Sequence, residues 1–181
     1  MMKNVLVICG SARKGGNSEL LADAFVEGAI EAGHTVEKVR IAPLDIRGCV
    51  GCDACHRNGG TCVQKDDMRE LYPKVAEADA IALAFPVYFY TWNAQMKAFL
   101  DRLYAFEPKL LHDKDFYLLA SCAGDEERYL EHLKAAFELY VGCFPQNNRC
   151  AGHAFAMATM KRGDAKGNPG LDDARELGRT I

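Results

Sequence analysis

The feature that most restricts this chain is its start, Val5-Leu-Val-Ile-Cys-Gly-Ser-Ala-Arg-Lys-Gly-Gly-Asn-Ser18. An unbroken apolar run ending at Cys9 has the length of a strand covered on both faces. It gives way at Gly10 to a loop of small and polar residues, and an amphipathic segment begins near Glu19. Strand, loop and helix in that order leave unpaired N–H groups and the positive end of a helix dipole at the loop, an arrangement that favours a phosphate. The hydroxyls of Ser11 and Ser18, the Asn17 amide and the Arg13 guanidinium add donors. Spacing excludes two common phosphate loops. The dinucleotide pattern G-x-G-x-x-G requires glycine where Ala12 stands, and the nucleoside triphosphate loop requires Lys and Ser or Thr directly after a glycine that is here followed by Gly16 and Asn17. What remains is a terminal phosphate monoester held without a metal, or an ordinary strand-to-helix turn.

The rest of the chain alternates strand and helix patterns. The first helix ends at Gly33, and a loosely alternating outer strand spans 35–41. An irregular connection at 43–65 holds four cysteines, after which Asp67-Met-Arg-Glu70 has capping-box spacing for a helix reaching Glu77. A buried-type strand at 79–85 stops at Pro86. Met96, Phe99, Leu100 and Leu103 then mark a helix on which Lys97, Asp101 and Arg102 are expected to be exposed. A strand at 114–121, a helix through Leu130, Leu133, Phe137 and Tyr140 ended by Gly142, a strand at 149–157, a polar loop at 161–170 and a helix at 171–179 complete the chain. Five such units predict a single α/β domain over all 181 residues, with a cysteine-rich loop at about 43–66. Its parallel sheet has the flavodoxin-like order 2-1-3-4-5, with helices on both faces. That order opens a crevice between the carboxyl ends of the first and third strands. The first ends in the phosphate loop and the third in Phe85-Pro-Val-Tyr-Phe-Tyr-Thr-Trp92, so a ligand with a phosphate at one end and a flat ring at the other fits, and FMN is the simplest. The alternative for Tyr88, Phe89, Tyr90 and Trp92 is closure of the core's end.

Composition narrows the setting. The net charge of −3 gives no basic excess for nucleic acid or an anionic membrane surface. The uncharged stretch between Asp79 and Lys97 is broken by Pro86, Asn93 and Gln95, so no membrane segment is expected. No export signal is recognised, and with 49% apolar residues the core needs no disulfide framework, which points to reduced cysteines in the cytoplasm.

Three pieces together resemble the flavodoxin-like NAD(P)H-dependent FMN reductases, and within them the iron-sulfur flavoproteins. They are Gly10-Ser-Ala-Arg-Lys-Gly-Gly-Asn-Ser18; Cys49-Val-Gly-Cys-Asp-Ala-Cys55 with Cys62 and Asp66-Asp-Met68; and Pro86-Val-Tyr-Phe with Ala94-Gln-Met-Lys-Ala-Phe-Leu-Asp-Arg102. The resemblance implies that Ser11, Arg13, Gly16, Asn17 and Ser18 hold the FMN phosphate. Pro86, Val87, Tyr88 and Phe89 line the ring and ribityl chain, and Ser121, Ala123 and Gly124 approach the ring's other edge. It also implies a homodimer or homotetramer with the flavin near a subunit boundary.

The spacing Cys49-x2-Cys52-x2-Cys55-x6-Cys62 suits a [4Fe-4S] cluster, zinc with His56 as an extra donor, or reduced thiols without a metal. The resemblance favours the cluster. Cys9, Cys122, Cys143 and Cys150 read as small core residues. His34, His112, His132 and His153 stand apart from any nucleophile motif, and no catalytic residue is assigned. The loop at 161–170 reads as a flexible connection, or as a flap over a neighbour's flavin. The expected activity is transfer of electrons from NAD(P)H through FMN to a quinone, a flavin or another electron carrier, with the chemistry carried by the flavin. A non-enzymatic electron-transfer flavoprotein and a metal- or redox-sensing module are the alternatives.

Overall fold

The computed structural model describes residues 1–106, 111–144 and 147–181. Five strands, β1 (Asn4–Cys9), β2 (Thr35–Arg40), β3 (Ala80–Pro86), β4 (Asp115–Ser121) and β5 (Arg149–Ala156), form one sheet in the expected order β2-β1-β3-β4-β5. Every neighbouring pair is parallel. The helices are α1 (Asn17–Glu31), α2 (Ala54–Arg57), α3 (Met68–Glu77), α4 (Ala94–Arg102), α5 (Arg128–Gly142) and α6 (Gly170–Arg179).

The two-residue period of a strand divides the core. Val5, Val7 and Cys9 of β1 belong to the apolar layer containing Phe25 of α1 and Ala174 of α6. Leu6 and Ile8 belong to the opposite layer with Val75 of α3, Phe99 of α4 and Leu133 of α5. Phe25, Phe85, Phe99 and Phe116 are completely buried, each contributing on the order of 2–3 kcal/mol. Helices α1 and α6 touch through glycines. A Cβ at Gly28 would lie 1.9 Å from the Arg175 carbonyl oxygen and one at Gly178 would lie 2.2 Å from that of Phe25, so neither position has room for a side chain. Among the described residues no helix is long and apolar enough to cross a membrane; the uncharged stretch divides into β3, an aromatic turn and the start of α4.

Five expectations change. Helix α1 begins at Asn17, two residues early, with extended Gly16 at its cap. The irregular connection contains the single-turn helix α2. Asp67 does not cap α3: its own backbone is helical, and its carboxylate instead accepts the Asp45 N–H at 2.8 Å, pinning the loop to the helix start. Arg102 is only 1% exposed because Asp66, on the loop, provides a buried carboxylate partner. Cys143 and Cys150 are exposed, one just past the end of α5 and the other on edge strand β5, while Cys9 and Cys122 are buried as expected.

Candidate active site

The central strands end side by side, so their loops meet at one rim. Register is fixed there by backbone bonds: Gly10 N–H donates to the Ala84 carbonyl at 2.8 Å and Val87 N–H to the Ser121 carbonyl at 2.8 Å. Asn93, 1% exposed before α4, donates its amide to the Gly10 carbonyl at 2.7 Å, tying the loop after β3 to the end of β1. Nothing in the local pattern marked Asn93 for this role beyond its place before a helix.

A cleft of about 250 Å³ opens at this rim. It is lined by Ser11, Arg13, Gly16, Asn17 and Ser18 from the loop after β1, by Pro86, Val87 and Tyr88 from the loop after β3, and by Ser121 and Ala123 at the end of β4. The two remaining expected residues, Phe89 and Gly124, line an adjoining recess of about 380 Å³ that shares Val87 and Ala123 with the cleft. Ten predicted residues therefore share one cleft, and the other two line its continuation.

Contacts within the chain hold each of these residues in place. Ser11 Oγ accepts the Arg13 N–H at 3.2 Å and shapes the loop. Gly16 leaves no room for a side chain, since a Cβ would stand 2.9 Å from the Arg13 carbonyl oxygen. Ser18 and Ser121 share a buried hydroxyl–hydroxyl bond of 2.7 Å that joins α1 to β4. The Asn17 side chain donates to the Lys161 carbonyl at 2.9 Å and accepts the N–H groups of Gly163 at 3.0 Å and Ala165 at 3.2 Å. The loop at 161–170 is thus not a loose connection. It folds back as a strap over its own chain and brings Thr159, Met160 and Arg162 to the cleft. These three were not found from sequence, although a loop following β5 necessarily leaves from the same edge of a parallel sheet.

The electrostatics at the loop favour an anion. The first N–H groups of α1, at Asn17 and Ser18, open toward the rim, where a helix has no carbonyl of its own to offer them. Glu19 brings a carboxylate to this end, but it accepts the Gly15 N–H at 2.6 Å and lies 3.6 Å from Lys38 and 3.4 Å from Arg40 on β2, so its charge is compensated. Cys9 lies buried at the end of β1, and burial followed by Glu19 pushes its thiol up to about 12. Burial likewise raises the Cys122 thiol beside Ala123, so both sulfurs stay neutral and unreactive near neutral pH. One end of the cleft therefore fits a phosphate monoester, and the other, walled by Pro86, Val87 and Ala123, fits a flat ring.

The aromatic turn is not a core plug. Phe89 is 97% exposed, Tyr88 and Tyr90 are exposed, and only Trp92 packs inward, against Tyr140. Tyr88 and Thr91 exchange N–H···O bonds of 3.0 and 3.1 Å, closing a tight turn with Phe89 at φ +50° and Tyr90 at φ +66°. Left-handed backbone at two bulky residues costs about 1–2 kcal/mol each, and such strain concentrates at functional loops.

The cysteine loop lies off the edge strand. Cys55 is buried, Cys62 is half-buried, and Cys49 and Cys52 are exposed. Among the described residues no three ligand-type side chains are gathered into a closed metal-binding set. The donors nevertheless have the chemistry of a cluster site. Cys62 and Cys49 lie near enough to Cys55 to act on its charge, and the Gly51 N–H points at Cys49 Sγ at 3.5 Å; burial and these two sulfurs together raise the Cys55 thiol, which favours its neutral form until a metal takes the proton's place. His56 stacks on Tyr104 at 4.4 Å, and its Nε2 lies 3.0 Å from the Tyr104 carbonyl, so this nitrogen already has a protein partner. Below the loop, Arg102 donates to both Asp66 carboxylate oxygens and to the Arg47 carbonyl at 2.9 Å.

An iron-sulfur flavoprotein of Methanocaldococcus jannaschii is 30% identical over 183 residues, covering 98% of this chain and 94% of its own. Iron-sulfur flavoproteins of Archaeoglobus fulgidus and Methanosarcina thermophila are 46% and 41% identical over 105 and 111 residues. Those matches cover 57% and 61% of this chain but only 47% and 55% of theirs, so the chain spans about half the length of these two relatives. The solved NAD(P)H:quinone oxidoreductase of Methanothermobacter marburgensis superposes with a TM-score of 0.81 over 99% of this chain and 96% of that one, at 19% identity, a likeness of fold. A family model described as NADPH-dependent FMN reductase matches residues 3–156, which include the phosphate loop, the cysteines and the aromatic turn. By that match and the full-length relative, the chain belongs to the NADPH-dependent FMN reductase family.

Proposed function

We propose that this chain is an FMN-dependent oxidoreductase that passes electrons from reduced nicotinamide to a second acceptor, a quinone, a flavin or an electron carrier. The observation that carries this reading is the convergence of the phosphate loop, the aromatic turn and the end of β4 on one cleft at the switch point. When bound, FMN supplies the hydride and electron chemistry, so the protein needs no acid–base dyad. The N–H groups of Asn17 and Ser18 and the Arg13 guanidinium would hold the phosphate, with Gly16 allowing close approach. Pro86 and Val87 would exclude water from one side of the ring, and the backbone at Ala123 and Gly124 would meet its edge. The exposed turn of Tyr88, Phe89 and Tyr90 leaves that end open to a nicotinamide and then an acceptor, used in turn.

A second component has its own support in the donor set of the cysteine loop. Cys49, Cys52, Cys55 and Cys62 would hold a [4Fe-4S] cluster, which supplies one-electron steps toward a protein partner. Pairing of two copies into a homodimer or homotetramer would cover Phe89 and Met160, both exposed at the rim. The test is anaerobic titration of the flavin-loaded chain with NADPH and NADH. Loss of the oxidised-flavin absorbance, and its return on adding a quinone, is expected. Bound flavin that neither nucleotide bleaches, but that a reduced iron-sulfur carrier does, would replace the enzyme with an electron carrier.

A further inference from the structure

Two arginines from opposite ends of the chain cross at the mouth of the cleft. Arg13 Nη1 reaches from the phosphate loop to the Met160 carbonyl on the strap at 3.4 Å, and Arg162 Nε reaches from the strap to the Gly15 carbonyl at 3.3 Å. Both bonds are near the long limit for N–H···O contacts, so they are weak placements rather than strong anchors. Both side chains line the same cleft. Gly15, at φ +64°, makes room for the second one: a Cβ there would stand 3.0 Å from Arg162 Nη2.

Among the described residues neither guanidinium has a carboxylate partner within salt-bridge distance, and Glu19 is already engaged by Lys38 and Arg40. Two like charges converging on the start of a helix repel one another unless an anion lies between them. A phosphate monoester carries about −1.5 to −2 charges near neutral pH, which two guanidiniums balance and one does not. The planar fork of arginine also matches two phosphate oxygens in a way an ammonium cannot.

The strap is built to deliver this charge. The Asn17 side chain makes three bonds to its backbone, the Asp164 carboxylate accepts the N–H groups of Met160 and Lys161 at 2.9 and 2.6 Å, and the single Thr159 O–H is shared between the carbonyls of Ala156 at 3.0 Å and Cys122 at 3.2 Å. We propose that Arg162, carried on the strap and positioned through Asn17, is a specificity-determining residue that completes the phosphate site as its second guanidinium. The proposal rests on the flavin reading above and sharpens it: the site selects the phosphorylated flavin over the bare one, and residues 159–165 belong to it as much as the loop after β1.

The test compares FMN with riboflavin, which lacks the phosphate, on the full chain freed of flavin, by fluorescence titration of the unaltered protein, Arg162→Met and Arg162→Lys. Arg162 is exposed, so neither variant removes a core contact. Loss of a charge-assisted contact predicts that Arg162→Met weakens FMN binding about 10- to 100-fold while changing riboflavin binding less than about threefold. Arg162→Lys should recover part of the loss. FMN affinity unchanged in Arg162→Met, or an equal fall for both flavins, overturns the proposal and leaves the flavin reading standing. Failure of the unaltered chain to bind FMN overturns both.

Discussion

The switch-point cleft and the cysteine loop hold their functional groups by different means. The cleft hangs on the ends of β1, β3 and β4, each bonded to strands on both sides, so backbone ladders fix where its loops begin. The cysteine loop leaves edge strand β2 and crosses to α3 with one short helix of its own, and side-chain charges pin it: Asp67 to the Asp45 N–H, and Asp66 to Arg102 and the Arg47 N–H. Backbone-built geometry is set before a ligand arrives, whereas geometry built from a buried ion pair depends on both partners keeping their charges.

The largest effect expected from this difference is at Arg102. Arg102→Met leaves the Asp66 carboxylate buried without its partner and should lower stability by about 3–5 kcal/mol, read as a fall in the urea midpoint. Iron retained after anaerobic reconstitution should fall further than bound FMN. A loss below about 1 kcal/mol would break the comparison by showing that the pair does not hold the loop.

Acid should act on the same pair. Burial opposes the Asp66 charge, but the Arg102 guanidinium and the Arg47 N–H outweigh it and hold the carboxyl below its usual range. A folded-state value below the unfolded one of about 3.9 means the contribution is complete above that pH and is lost as pH falls through the folded-state value. Pepsin should therefore cut within 43–66 before it cuts the sheet, and Asp66→Asn should remove the pH dependence of that first cut.

A smaller effect, confined to the cleft, is expected at Asn17. Asn17→Ala removes three bonds to the strap and leaves the Gly163 and Ala165 N–H groups without acceptors, at a cost of about 1–3 kcal/mol. Trypsin should nick after Lys161, Arg162 or Lys166 faster than in the unaltered chain, with iron content unchanged. The smallest effect belongs to Cys143, exposed and outside the four-cysteine spacing: Cys143→Ser should shift stability by less than about 0.5 kcal/mol and leave iron unchanged, whereas Cys55→Ser should lower it.

The same division explains what could be read from the sequence. The sheet order and the meeting of the two loops followed from short apolar runs, Gly10 and Pro86, because strand length and topology are local or nearly local signals. The contacts that sequence does not reveal join distant side chains. The charge of Arg102 suits an exposed helix face, yet its partner Asp66 lies in an irregular loop 36 residues earlier. The second role of Asn17, holding the strap, depends on the Lys161 carbonyl 144 residues away. Cys143 and Cys150 have apolar neighbours in sequence, but the register of an edge strand and the end of a helix turn them outward. Periodicity finds the faces of elements; it does not find which polar groups on different faces will meet.

A larger groove of about 600 Å³ beside Cys49, Tyr104 and Tyr140 competes with the cleft for a flat ligand, so where a flavin sits decides the function proposed for the cleft. A crystal structure of the full chain with FMN decides between them. The phosphate is expected against the first N–H groups of α1, between Arg13 and Arg162, with the ring beside Val87 and Ala123. FMN bound in the groove next to Cys49, with the switch-point cleft left to solvent, would contradict it.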